Sequence, residues 1–242
     1  NFRIRGNAYA ELHPVDWLFY KFNLGVETSF DHFKSLRKVG SWTYNQPVDP
    51  SNLYENRAQF LSMLYEHTLN FNKQFGEHNI NGVVGISYRD VNYELTGAGN
   101  QNIAQYPAGR YFDQLNAGTT LQTIEGNSNQ FVTLSYLGRL NYDYAQRYLL
   151  SLTFRRDGDS RFGKDNRWGN FPSISGAWRI SKEAFFKVPW VSDLKLRASY
   201  GVLGNTSTIP NYARIPSLNL FPYAVFGESQ SLQSGAIQTA LV

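Results

Sequence analysis

The chain has 242 residues, no cysteine, 23 Lys+Arg against 19 Asp+Glu, and 16% aromatic side chains. Without cysteine there is no disulfide, thiolate nucleophile or thiolate metal centre, and a net charge of +4 with no separate basic block gives nucleic-acid binding no support. No apolar run approaches the ~18 residues of a transmembrane helix, yet a mean hydropathy of -0.42 does not oppose a membrane barrel, whose strands show only alternate residues to lipid.

Taken in order, residues 3–12 alternate Ile4, Ala8, Ala10 and Leu12 with Arg3, Arg5, Asn7 and Glu11, a strand pattern that ends in a turn at 13–16. Residues 18–30 put Leu18, Tyr20, Phe22, Leu24, Val26 and Phe30 on one face and close a first hairpin. Residues 31–56 lose the period and read as a long loop. Strands over 59–71 and 80–88, joined by a turn at 73–77, make a second hairpin, and 94–127, with its glycines and Pro107, reads as a second long loop. The third hairpin is the most regular. Val132, Leu134, Tyr136, Leu140 and Tyr142 alternate with Thr133, Ser135, Arg139 and Asn141. After a turn at 143–146, Tyr148, Leu150, Leu152 and Phe154 alternate with Arg147, Ser151, Thr153 and Arg155. A charged loop over 156–171 follows, then a strand at 172–180, a helical turn capped by Ser181, and a strand at 193–202. The remainder is largely uncharged loop with Leu220, Phe221, Tyr223 and Phe226 clustered in it.

This pattern predicts eight strands in four hairpins, short turns alternating with long loops. One-sided apolar strands occur in soluble sandwiches and in membrane barrels. Strands of about ten residues suit a tilted membrane crossing, and Tyr142, Tyr144 and Tyr148 stand where an interfacial aromatic girdle belongs. The fold class expected is therefore all-β, an antiparallel transmembrane barrel.

The ordered motifs Arg147-Tyr148-Leu149-Leu150, Arg155-Arg156-Asp157-Gly158-Asp159-Ser160-Arg161-Phe162-Gly163, Asn166-Arg167-Trp168-Gly169, Phe171-Pro172-Ser173, Ala177-Trp178-Arg179-Ile180 and Leu194-Lys195-Leu196-Arg197-Ala198-Ser199-Tyr200-Gly201 resemble the SusC/RagA-type TonB-dependent outer-membrane transporters. The resemblance implies that residues 1–242 are about eight strands of a plugged barrel of about 22 strands, with the plug outside the chain. The N-terminal Asn and single methionine agree with an internal piece or processed product. It further implies energy-dependent uptake of oligosaccharides or peptides, driven by a TonB complex and assisted by a SusD-like surface lipoprotein, in a bacterial outer membrane whose lipid contacts the wall. The other readings are a small eight-strand adhesin or structural barrel, and a secreted carbohydrate-binding sandwich.

No catalytic motif is present, and no cofactor or metal is expected. His13, His32, His67 and His78 have no ligand spacing. Asp157-Gly158-Asp159 resembles the start of a calcium loop, but Arg161 occupies the place of the third oxygen ligand. The loop reads first as one knitted by Arg–Asp pairs. Its candidate cargo or lid contacts are Arg156, Arg161, Arg167 and Trp168, joined by Tyr223 and Phe226. Lys21, Glu66, Arg139, Arg179, Lys195 and Arg197 read as a hydrated lumen wall. Trp42, Tyr106 and Tyr111 either stack on a sugar ring or pack the loops together.

Overall fold

The computed structural model describes residues 1–43, 46–48, 50–107, 109–206, 208–212, 218–219, 223–226, 231–234 and 237–238, the side chains of 41–48, 121 and 218–238 excepted. The strands in chain order are β1 (Phe2–Val15), β2 (Leu18–Arg37), β3 (Gly40–Thr43), β4 (Gln46–Val48), β5 (Asn52–Phe75), β6 (His78–Ile103), β7 (Gly118–Tyr144), β8 (Tyr148–Asp159), β9 (Trp168–Arg179) and β10 (Lys195–Gly201). Four short ones follow, β11 (Leu218–Asn219), β12 (Tyr223–Phe226), β13 (Ser231–Ser234) and β14 (Ile237–Gln238). One eight-stranded sheet has the order β1-β2-β5-β6-β7-β8-β9-β10, each strand beside its predecessor in the chain apart from the small β3–β4 ribbon. The eight expected strands are thus the eight observed. Within the described residues β1 and β10 are the two edges and do not pair with each other, which counts against a closed eight-strand barrel.

Two of the expected loops are mostly strand. β2 runs on to Arg37 and β5 starts at Asn52, while β6 continues to Ile103 and β7 starts at Gly118. The ladder hydrogen bonds come from the backbone and persist where both faces are polar; the apolar alternation that marks a strand in sequence does not. The 156–171 loop shrinks for the same reason, because Arg156 pairs with Asn170 and Gly158 with Trp168, leaving 160–167 as the connection. The helical turn near Ser181 is a single 3-10 turn, Ile180–Lys182, with no side-chain cap. The Ser181 hydroxyl instead donates to Asp193 at 2.7 Å.

The chain divides into two compact units. The first comprises 1–11, 21–67 and 88–130. It holds the buried side chains Ser51, Leu53, Ser62, Val91, Asn100 and Ile103. The Ile103 amide donates to the Ser51 hydroxyl at 2.9 Å, and the Asn100 amide group donates to the carbonyls of Leu115 and Gly118 at 2.9 and 3.0 Å. Tyr106 stacks on Phe112 at 3.9 Å, and the Val39 amide donates to the Tyr111 oxygen. Both tyrosines therefore pack loop on loop; the Trp42 side chain lies outside the described residues.

The second unit comprises 12–20, 68–87 and 131–242. Register on β7, β8, β9 and β10 fixes its faces. Leu152 lies between Leu140 and Ile174, and Tyr148 between Tyr144 and Trp178. Ile174 in turn pairs with Tyr200. This face is apolar and open, with Leu140, Leu150, Leu152, Phe154, Ile174 and Tyr200 between 38% and 74% exposed. A soluble sandwich would bury such a row under a second sheet. The opposite face carries Asn141, Ser151 and Ser175 in one row and Arg139, Thr153 and Ser173 in another. Ser151 donates to Asn141 at 2.6 Å and Arg139 to Thr153 at 3.2 Å, so this side is a hydrogen-bonded polar wall.

The β7–β8 turn holds Ala145 at φ 52° and Gln146 at φ 55°, and the Arg147 amide donates to the Tyr144 carbonyl at 2.9 Å. Two consecutive left-handed residues make the turn compatible with strand twist, but each costs a non-glycine residue about 1 kcal/mol or more. Gln146→Gly is expected to raise the unfolding free energy of the detergent-folded protein by roughly 0.5–1 kcal/mol, read as a higher urea midpoint. An unchanged or lower midpoint would show that the turn is not strained.

Candidate functional site

The charged motif after β8 folds back on the sheet through one ion pair. Asp159 and Arg161 are 5% and 8% exposed. The guanidinium grips both carboxylate oxygens, Nη2 to Oδ2 at 2.6 Å and Nε to Oδ1 at 3.0 Å, while the Arg161 backbone amide donates to Oδ1 at 2.9 Å. Burial pushes the Asp159 carboxyl up. The Arg161 side-chain and backbone hydrogen bonds, with its charge, outweigh that and hold the carboxyl below its ordinary value. Arg161 also donates to the Thr206 hydroxyl at 2.8 Å, and its guanidinium lies 4.6 Å from the Phe131 ring centre. Ser160 and Val132 exchange two bonds, backbone to backbone at 3.0 Å and amide to hydroxyl at 2.9 Å. The motif thus ties 160–167 to the start of the segment after β10.

Beneath it lies a cavity of about 530 Å³, lined on the polar-face side by Ser135, Arg155, Asp157 and Phe171 and on the loop side by Asn166, Arg167 and Asn205. Arg155 Nε donates to both oxygens of Asp157 at 2.6 and 2.8 Å. Two aromatic rings, Phe171 on the cavity face and Trp168 on the face of Tyr136, lie against glycine. A Cβ on Gly204 would come within 2.4 Å of the Phe171 ring, and one on Gly158 within 2.9 Å of the Trp168 ring, so both rings lie flat on bare backbone.

The six predicted contacts separate. Arg167 and Trp168 line this cavity. Trp168 also stacks on Tyr136 at 5.7 Å and carries the Arg156 guanidinium 5.1 Å from its ring centre. Arg156 pairs in register with Tyr136 and Asn170, on the face of Leu152 and Phe154, where it crowns the apolar belt. Arg161 is committed to Asp159. Tyr223 and Phe226 pair through their backbones with Ser234 and Ser231, and their side chains lie outside the described residues. Phe171, Leu203, Gly204 and Thr206 join the cavity without having been expected there; only the Phe171-Pro172-Ser173 motif hinted at it.

At the opposite end of the strands, Glu183 accepts from the Tyr148 hydroxyl at 2.7 Å and the Trp178 indole at 2.9 Å. These bonds anchor the girdle rings. The histidines are dispersed: His32 bonds Glu55 at 2.9 Å and His78 bonds Tyr142 at 2.7 Å, while His13 stacks on Phe19 and His67 lies against Phe22. Among the expected lumen charges, Lys21 pairs with Glu11 at 3.0 Å and Arg179 with Asp193 at 3.4 Å.

No family model matches the chain. Curated relatives do. TonB-dependent receptor P3 of Formosa agariphila is 33% identical over 238 residues, 93% of this chain and 22% of the receptor. TonB-dependent receptor SusC of Bacteroides thetaiotaomicron is 48% identical over 96 residues, 39% of this chain and 9% of SusC. The chain therefore spans less than a quarter of the length of these relatives. In fold, it superposes on the RagAB peptide importer in its open-open state with a TM-score of 0.78 and 24% identity, over 98% of this chain and 25% of the RagAB chain.

Proposed function

We propose that this chain, which belongs to the TonB-dependent receptors, forms part of the wall of a plugged outer-membrane barrel that imports oligosaccharides or peptides. The observation that carries the reading is the exposed apolar face of β7, β8, β9 and β10 backed by a hydrogen-bonded polar one. Such a sheet suits hydrocarbon on one side and a hydrated lumen on the other. The cavity under 160–167 sits at the end of β8 away from the short 145–147 turn, the outer end if short turns face the periplasm. There the outer loops capture cargo and seat a SusD-like lipoprotein, while a TonB complex supplies the work that opens the plug.

A plugged barrel passes nothing of this size by simple diffusion, so import requires the proton gradient while surface binding does not. In cells whose only route is the full-length receptor, an ionophore is expected to abolish accumulation of labelled oligosaccharide or peptide and to leave surface binding intact. Accumulation that continues without the gradient would make the barrel a passive pore.

A further inference from the structure

We infer that the cavity beneath 160–167 holds a carboxylate of the cargo, with Arg167 as its anchor. This rests on the import reading above and names the chemical class that the site selects.

The charges on the cavity wall are Arg155, Asp157, Asp159 and Arg167. Three of the four are satisfied. Arg155 neutralises Asp157 through two bonds, and Arg161 neutralises Asp159 from behind. Among the described residues the Arg167 guanidinium has no hydrogen bond and no ion pair, and its Nε is buried without a partner. Its backbone carbonyl is spoken for, accepting from the Asp159 amide at 3.1 Å, so the chain is fixed at the base of the side chain. A buried, unmatched donor costs about 1–3 kcal/mol, and a guanidinium presents two parallel donors suited to a planar carboxylate.

The rest of the wall favours an organic acid over a bare inorganic anion. The rings of Phe162 and Phe171 and the side chain of Leu203 supply apolar surface beside the guanidinium. Asn166 and Ser135 add polar groups across the cavity. A volume of about 530 Å³ accommodates one terminal residue or one sugar ring with its acid group. Two cargo chemistries offer that: the free α-carboxylate at the end of a peptide, and a uronic acid in an oligosaccharide.

The test uses the full-length receptor with its lipoprotein, folded in detergent. Its probes are a short peptide with a free C-terminal carboxylate, the same peptide amidated, an oligogalacturonate, and its methyl ester. At least one acid is expected to bind about ten- to a hundred-fold more tightly than its neutral partner, the worth of a charge-assisted hydrogen bond pair. Which pair shows the difference identifies the source. Arg167→Gln is expected to erase that ratio by weakening the acid far more than the neutral probe, and Arg167→Lys, which keeps the charge but not the fork, is expected to retain part of it. Heat-modifiable migration verifies assembly of each variant. Equal binding of acid and neutral probes by the unsubstituted receptor overturns the proposal, as does an acid preference unchanged in both variants. Either result, alongside ionophore-sensitive uptake, removes the anchor and leaves the import reading standing; ionophore-insensitive uptake removes the import reading itself.

Discussion

Leu150→Arg is expected to cost the membrane-inserted wall about 2–4 kcal/mol, while Ser151→Arg, one residue along β8, is expected to cost less than about 1. Leu150 pairs in register with Tyr142 and Gly176 and is 39% exposed on the apolar face, so nothing on the sheet shields an arginine there from hydrocarbon. Ser151 faces Asn141 and Ser175 and borders a cavity of about 430 Å³ that also holds Asp143, Lys195 and Arg197. Arginine at 151 gives up the 2.6 Å bond to Asn141 but keeps its charge in water, close to a carboxylate. The folded fraction recovered from outer membranes, read as heat-modifiable protein, distinguishes the two. Comparable losses would place both side chains in the same medium and sink the assignment of faces.

Arg161→Met is expected to destabilise the end of β8 remote from the 145–147 turn by about 3–5 kcal/mol, because it strands the buried Asp159 carboxylate without its partner. Asp159→Asn/Arg161→Met is expected to recover most of that loss, since removing both charges avoids the penalty. Amide hydrogen exchange over 159–162 and 202–206 reads the opening locally. The pair also sets a pH dependence. The folded Asp159 carboxyl lies below its ordinary value of 3.8, so its contribution is complete above about pH 4 and is lost as pH falls through the lower folded value. Protection in these segments is expected to fall in that acid range in the unsubstituted protein and to show no such step in the double variant. Arg161→Met with unchanged protection would mean that the pair does not hold the loop.

Much of the wall was legible because lipid imposes a period of two. Tyr148, Leu150, Leu152 and Phe154 stand out against Arg147, Ser151 and Thr153, and the girdle tyrosines mark where the hydrocarbon ends. The strands beyond the hydrocarbon were not legible. In 94–103 and 118–127 neither face needs to be apolar, so alternation vanishes while backbone pairing continues. The site was legible by type but not by role. An Arg-rich motif announced ion pairs, yet nothing in the sequence distinguishes Arg161, spent on Asp159 two residues away, from Arg167, which has no partner among the described residues. Arg156 likewise reads as a loop charge until register puts it beside Phe154 and over Trp168. Thr206 and Leu203 reach the cavity only through the path of the chain after β10, which local pattern does not encode.

The most direct measurement is a nitroxide scan along β8. The chain has no cysteine of its own, so single cysteines at 149–154, in a full-length receptor free of other cysteines and set in lipid, can each carry one label. Accessibility to dissolved oxygen is expected to peak at 150, 152 and 154, and accessibility to an aqueous nickel chelate at 149, 151 and 153, two opposed curves of period two. Curves without that alternation, or with oxygen favoured at 149, 151 and 153, would contradict a wall with lipid on the Leu150 face and water on the Ser151 face.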